Sequence, residues 1–227
     1  KKLERLISSQ TNKIDVVINS IGDQGEIGKT LETDFMRWVR TFEVNLFSIY
    51  LICKTFKKFL LKSKNRKVIN FSGGGAFNPF PNYSAYACSK AALVRLTENL
   101  AQEYHSENIQ FNNIAPGFVV TDIHKKTLQA GKIKAGEYFE ETKERLEDQT
   151  KTVPVERVLK CIDFLISSKS TPLNGKTISA SFDPWDTKEF QENIKLIQDS
   201  DLYTLQRINL ENLNTSLEVV GKLKKFI

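Results

Sequence analysis

Tyr86 and Lys90 form the pair in this sequence that is best suited to acid–base chemistry. They stand four residues apart, so on a helix they lie on one face. An ammonium group close to a phenol stabilises the phenolate and lowers the phenol's pKa from its usual value of ~10. Such a tyrosine can give or take a proton near neutral pH. The residues around the pair are small: Ala85, Ala87, Cys88, Ser89, Ala91 and Ala92.

Ser72 could serve the same site. It ends a predicted strand fourteen residues before Tyr86, and Gly73, Gly74 and Gly75 follow it. A hydroxyl at the carboxyl end of a parallel strand lies where open α/β sheets bind ligands. Glycines at that point let a substrate approach the backbone. The alternative is a flexible turn with an incidental serine.

Asn45 interrupts an apolar stripe on the helix predicted over Glu32–Leu61. The members of the stripe are spaced by four and three residues: Trp38, Phe42, Asn45, Ile49, Ile52 and Phe56. A buried amide needs hydrogen-bond partners. These are either a local backbone group or the groups of a polar site.

Two more predicted strands lead into turns of interest. Asn19-Ser20-Ile21-Gly22 closes one strand, and the segment from Ala115 to Thr121, with the sequence APGFVVT, closes another. Because the carboxyl ends of parallel strands meet at one edge of a sheet, these turns and Ser72 should lie together.

The elements that carry these residues alternate along the chain. Short β-rich runs are predicted at Ile14–Asn19, Lys67–Ser72, Ile109–Ile114 and Lys176–Ser181, and helices at about Glu32–Leu61, Tyr83–His105 and Pro154–Ser167. This alternation predicts an α/β fold, with a doubly wound parallel sheet and helices on both faces.

After Pro116-Gly117 the alternation stops. The polar and partly helical segment Thr121–Thr152 is long for a connection, so we expect a substrate-loop insertion at 121–152. A final helical stretch is predicted over roughly Thr187–Ile227, without a core of its own. The organisation is therefore one α/β domain over 1–181 and a C-terminal helical extension over 182–227.

Composition and charge exclude several classes of function. Of 227 residues, 33 are Lys or Arg and 27 are Asp or Glu, and no basic run exceeds two residues, which argues against a nucleic-acid surface. No apolar run approaches the ~18–20 residues of a membrane span. The cysteines, Cys53, Cys88 and Cys161, lack metal-ligand spacing. We therefore expect a cytoplasmic protein with reduced thiols and no metal, membrane or nucleic-acid partner.

Taken in order, these motifs resemble those of the short-chain dehydrogenase/reductase family. They are Asn-x-x-Gly, Asn45, Ser72, Tyr-x-x-x-Lys and Pro-Gly-x-x-x-Thr. Each is weak alone, but five in this order, on suitable predicted elements, are highly specific. The resemblance extends from about Ile14 to Ser181.

The resemblance implies a Rossmann-type catalytic domain that uses NAD or NADP, with Tyr86 as the acid/base toward the substrate oxygen. Lys90 would lower the pKa of Tyr86 and hold the nicotinamide ribose, and Ser72 would hydrogen-bond the substrate. Asn45 would hold a water that links Lys90 to solvent. The remaining cofactor contacts would come from Asn19 and Gly22 on the adenosine side, and from Pro116, Gly117, Val119 and Thr121 at the nicotinamide.

The sequence departs from the family pattern in two respects. The glycine-rich phosphate loop has no counterpart here. The resemblance implies that a preceding segment on the order of 60–80 residues, at ~30 or more per βαβ unit, is missing from the sequence or from the protein. Without it, NAD and NADP cannot be told apart. Many members also carry a second, catalytic serine where this sequence has Gly73.

The resemblance thus implies an oxidoreductase that transfers a hydride between nicotinamide and a small carbonyl or secondary alcohol, with sugar derivatives among the candidates. Four lysines of the insertion either meet a phosphorylated substrate or form a solvated face: Lys125, Lys126, Lys132 and Lys134. The alternatives are a catalytically idle binding subunit, or an enzyme similar to nucleotide-sugar epimerases and dehydratases. Pairing of helices across a two-fold axis would give a homodimer or homotetramer.

Overall fold

Four parallel strands form the sheet that carries the site. The computed structural model describes residues 2–207, 217–218 and 220–221. Its strands are β1 (Val16–Asn19), β2 (Lys67–Phe71), β3 (Gln110–Ala115) and β4 (Thr177–Ser179). They lie in the order β1-β2-β3-β4, and each is parallel to its neighbour. The predicted α/β fold is confirmed, and every strand ends within two residues of its predicted bounds.

The helices of the described residues depart further from the predicted bounds. They are α1 (Lys2–Ser8), α2 (Phe35–Phe42), α3 (Ser48–Leu60), α4 (Ser84–Glu103), α5 (Ile123–Ala135), α6 (Glu137–Glu147), α7 (Val155–Ile166), α8 (Lys188–Glu192) and α9 (Ile194–Gln198). The single helix predicted over Glu32–Leu61 is wrong in detail. Helices α2 and α3 are joined by a π-helical turn at Glu43–Phe47, and the chain before α2 is largely irregular.

Both faces of the sheet are covered. Val68 and Phe111 point to a core shared with α3 and α4, whereas Ile69, Ile114 and Ile178 point to a core shared with α7. This follows from the two-residue period of a strand, which sends successive side chains to opposite faces. Near-continuous apolar strands are therefore expected in a sheet covered on both sides.

A row of buried polar side chains, three asparagines and one threonine, fixes α4 on the sheet. Asn19, Asn70, Asn113 and Thr177 occupy matching positions of the four strands. The Asn19 amide donates to the Asn70 side chain at 2.8 Å, and Asn70 donates to Thr97 of α4 at 2.9 Å. Thr97 donates in turn to Asn113 at 2.8 Å. Because buried polar groups require partners, this network sets the position of α4 and of the residues that it carries.

The segment after β4 packs on the same core as α7. Trp185, Phe190 and Ile197 belong to that core. The Tyr203 carbonyl accepts from the Thr177 backbone amide at 2.8 Å, along the edge of β4. As far as residue 207, the helical stretch predicted from Thr187 is helical only in α8 and α9, and turns follow them. Residues 217–218 and 220–221 are helical, and the rest of that prediction lies outside the described residues.

Candidate active site

Tyr86 and Lys90 lie on one face of α4, beside the carboxyl ends of β1 and β2. The Lys90 ammonium nitrogen is 5.9 Å from the centre of the Tyr86 ring. It donates hydrogen bonds to the carbonyl oxygens of Phe71 at 2.7 Å and Ile21 at 3.2 Å. Since Phe71 ends β2 and Ile21 follows β1, the lysine ties the helix to two strand ends.

Burial shifts the pKa of both groups of the pair. It raises the pKa of Tyr86 to about 12 and lowers the pKa of Lys90 to about 8, because the charged form of each loses its hydration. The sequence predicted a phenol pKa below ~10. That prediction is wrong for this arrangement, because desolvation is the largest influence on the phenol. Tyr86 therefore keeps its proton at neutral pH.

Ser72 follows β2 directly, and its hydroxyl has no hydrogen-bond partner within the described part of the chain. The backbone amide of Ser72 donates to the Ile114 carbonyl at 2.9 Å, which continues the ladder between β2 and β3. The side chain is buried, and its Oγ meets no partner among the described residues. A buried, unpartnered hydroxyl is uncommon in a folded protein, and a substrate oxygen would satisfy it. Of the glycines after Ser72, Gly73 and Gly75 lie against side chains of α4, and Gly74 faces open space.

Asn45 is buried at the π-helical turn and joins two parts of the site. Its Oδ1 accepts from the Asp23 backbone amide at 2.8 Å. Its Nδ2 donates to the Asp23 carbonyl at 2.8 Å and to Ser89 Oγ at 2.9 Å. Both hydrogens of the amide are thus used within the chain. Asn45 therefore holds the loop after β1 against α4. Its bonds to the Asp23 backbone correspond to the first of the two possibilities for a buried amide, a local backbone partner.

The two predicted adenosine-side residues lie in different surroundings. The Asn19 side chain is buried in the polar row across the sheet, where its amide donates to Asn70. This side chain is thus used within the sheet, and its predicted place at the cofactor stays a prediction. Gly22 lies beside Lys90: a Cβ there would be 3.5 Å from the lysine Nζ and 4.0 Å from Ile123 of α5.

The loop after β3 forms another wall near this edge. Gly117 has φ +77°, and a Cβ there would lie 2.6 Å from Val153 and 2.9 Å from Ser181. The position therefore requires glycine for both its conformation and its space. Pro116 and Val119 are half-buried, and Thr121 is exposed just before α5.

Sequence reasoning missed an aromatic cover over Tyr86. Phe80 packs edge to face against Tyr86, with ring centres 6.4 Å apart, and stacks on Tyr83 at 4.4 Å. Tyr138 of α6 meets Phe80 and Tyr83 edge to face at 4.7 and 5.3 Å. The Pro-Phe-Pro-Asn-Tyr run at 79–83 could have signalled a rigid aromatic turn. Nothing in the sequence links it to Tyr138.

The insertion over 121–152 folds as α5 and α6 and is fastened to the loop after β1. Lys126 forms an ion pair with Asp23, and Thr127 donates to Gln24 at 3.1 Å. Lys125 and Lys132 also form ion pairs, with Asp122 and Glu140. Three of the four lysines considered for a phosphorylated substrate are thus paired within the chain.

Neither metal nor disulfide chemistry is visible in the part of the chain that the structure describes. No group of three or more His, Cys, Asp or Glu side chains there could hold a metal ion. Cys53, Cys88 and Cys161 are free thiols, and only Cys88 is exposed. Among these residues no helix has the length and apolarity of a membrane span.

Comparison with known proteins identifies the family. The model of the short chain dehydrogenase family matches residues 1–132. The chain is 30% identical over 171 residues to short chain dehydrogenase mpl6 of Monascus purpureus, which covers 75% of this chain and 53% of the relative. It is 28% identical over 166 residues to an NAD-dependent glycerol dehydrogenase of Listeria innocua, with coverages of 73% and 62%. The chain spans about half the length of the curated relatives it matches.

Solved structures share the fold. A short chain dehydrogenase of Escherichia coli CFT073, crystallised with NADPH, superposes with a TM-score of 0.63 at 22% identity. The superposition covers 79% of this chain and 68% of the other. At this identity the likeness concerns the fold alone, and it supports the Rossmann-like arrangement of the four strands.

Proposed function

Because this chain belongs to the short-chain dehydrogenase family, we propose that it forms the catalytic part of an NAD(P)-dependent oxidoreductase. The reaction would transfer a hydride between nicotinamide and a carbonyl or secondary-alcohol substrate. The observation that supports this most directly is the pairing of Tyr86 and Lys90 beside Ser72. A proton donor, a cation and an unpartnered hydroxyl therefore lie near the carboxyl end of β2.

The residues at the edge fit a nicotinamide cofactor. An ammonium group has three donors, and Lys90 uses two of them on the Ile21 and Phe71 carbonyls, so one N–H is available for a ribose hydroxyl. Gly22 leaves space beside that nitrogen. Pro116, Gly117, Val119 and Thr121 would border the nicotinamide. When bound, the cofactor supplies or accepts the hydride. One relative is NAD-dependent and one structural neighbour holds NADPH, so both cofactors are candidates.

Within this proposal, Tyr86 is the proton donor and Ser72 the substrate-orienting hydroxyl. A phenol that keeps its proton can donate it to a carbonyl oxygen as negative charge develops there. The Ser72 hydroxyl would donate to the same oxygen and stabilise that charge. Asn45 positions the loop after β1 and, through Ser89, α4. Phe80 and Tyr138 would exclude water from the phenol and contact the apolar part of the substrate.

The experiment is a titration of the full-length protein with NADH and with NADPH, followed by nicotinamide fluorescence. Turnover is then measured on a panel of ketones, aldehydes, secondary alcohols and sugar derivatives. Saturable binding of one cofactor, with turnover of at least one carbonyl or alcohol, supports the proposal. Binding of neither cofactor contradicts it.

A catalytically idle binding subunit is the second candidate, and Gly73 favours it. Many family members carry the catalytic serine at that position, and here no hydroxyl stands there. An idle protein would bind NADH or NADPH without turnover on any member of the panel. In that case Tyr86→Phe would alter no catalytic rate.

A further inference from the structure

The three glycines after β2 have different surroundings. A Cβ at Gly73 would lie 2.1 Å from the Tyr86 hydroxyl oxygen and 3.0 Å from Cζ of its ring. A Cβ at Gly75, where φ is +81°, would lie 2.7 Å from the Ala87 Cβ. A Cβ at Gly74 would meet nothing within 4 Å. The Tyr86 phenol thus leaves no space for a side chain at Gly73, and α4 leaves none at Gly75. A side chain at Gly74 would meet no neighbour.

The Tyr86 hydroxyl occupies the space that any other side chain at position 73 would need. Backbone conformation is not the reason for glycine here, because Gly73 lacks the positive φ that Gly75 has. The phenol cannot move freely, although it is only partly buried. Its ring lies against Phe80, and it packs against the apolar cluster that Phe80 and Tyr138 also contact. A shift of the ring by an ångström would disturb this packing.

We propose that Gly73 is a positioning residue for Tyr86: because glycine has no side chain, the phenol hydroxyl can occupy the space where a Cβ would stand. The inference rests on the proposed function, in which this hydroxyl donates the proton. It implies that a serine at position 73 would displace the acid/base group of this chain. The hydroxyl left for the substrate at this strand end is then that of Ser72, buried and without a partner among the described residues.

The first test measures stability and needs no substrate. Gly73→Ala is compared with Gly74→Ala in the full-length protein by chemical denaturation. Overpacking of this kind raises the unfolding equilibrium constant by roughly 5- to 150-fold, and we expect Gly73→Ala to fall in that range. Gly74→Ala should stay within a few-fold of wild type. Equal effects of the two substitutions would contradict the proposal.

The second test asks whether the phenol oxygen is the atom that matters. In a Tyr86→Phe background the nearest atom to the added Cβ becomes Cζ at 3.0 Å, a contact that small shifts can relieve. Most of the effect of Gly73→Ala should then disappear. An undiminished effect in this background would overturn the proposal. If Gly73→Ala alone does not fold, recovery of folding by Tyr86→Phe supports it, and no recovery contradicts it.

The third test measures catalysis. It separates this proposal from the alternative that position 73 merely lacks a catalytic serine hydroxyl. If position 73 only lacked a hydroxyl, Gly73→Ser would raise kcat. We expect Gly73→Ser and Gly73→Ala to lower kcat by similar factors, and to shift the pH at which the rate changes, because both displace Tyr86. A more active Gly73→Ser would overturn the inference. If wild type shows no turnover at all, the proposed function fails, and the two stability tests still decide the role of Gly73.

Discussion

The buried charge of Lys90 should make the stability of this protein depend on pH. The residue is 2% exposed, and burial lowers its pKa from 10.5 to about 8. Between these two values the unfolded chain binds more protons at this position than the folded chain does. The free energy of unfolding should therefore rise with pH across that window, and Lys90→Met should remove this contribution.

The size of the effect follows from the two pKa values of Lys90. At about 1.4 kcal/mol per pH unit, the interval from about 8 to 10.5 corresponds to at most about 3.5 kcal/mol. The actual rise should be smaller, because the bonds to the Ile21 and Phe71 carbonyls favour the charged form. The pKa values of Lys67 and Lys176 are also lowered to about 8, so both lysines add to the rise of the unfolding free energy with pH in wild type and in every variant.

The assay is urea denaturation at about pH 7 and about pH 10 for wild type, Lys90→Met and Lys134→Met. Lys134 is exposed on α5 and has no ion pair within the described ranges, so its substitution controls for the loss of one charge. The free energy of unfolding of wild type minus that of Lys90→Met should increase with pH. The same difference taken with Lys134→Met should stay constant. An equal rise in wild type and Lys90→Met would refute the assignment of a buried, desolvated ammonium.

Two predictions concern catalysis and assembly. Tyr86→Phe should lower turnover by about 10²–10⁴ and leave cofactor affinity unchanged, because it removes one proton donor. Tyr104→Phe, at the far end of α4, is the control, and a Tyr86→Phe protein with most of its activity would exclude the proposed role. Phe47 and Leu51 are about half exposed on one side of α3 and its preceding turn, which favours the homodimer or homotetramer. Light scattering at micromolar concentration should show that oligomer, and Leu51→Glu should shift it toward monomer; a monomeric wild type would contradict it.

The sequence predicted well what depends on local pattern. Strand ends could be located from where the apolar runs stop. The predicted ends, Asn19, Ser72 and Ile114, lie within one residue of the observed ends, Asn19, Phe71 and Ala115. The four-residue spacing of Tyr86 and Lys90 placed both on one helix face, as observed. The π-helical turn at Asn45 and the hydrogen bond of its amide to Asp23, in the loop after β1, could not be foreseen. No periodicity encodes such a contact between distant segments.

The pKa of Tyr86 shows why the electrostatics of the site could not be predicted in the same way. Spacing brings a cation near the phenol, which favours the phenolate. The insertion brings Tyr138 against Phe80 and Tyr83, and Phe80 in turn packs on Tyr86, a contact between distant segments that spacing does not encode. Desolvation then raises the pKa of Tyr86 to about 12 and lowers that of Lys90 to about 8, so above pH 8 the proton resides on the phenol. A phenol that is protonated at neutral pH can donate to an oxygen that gains negative charge. Within the proposed function we therefore expect Tyr86 to act as the donor in carbonyl reduction, and alcohol oxidation would require stabilisation of its phenolate.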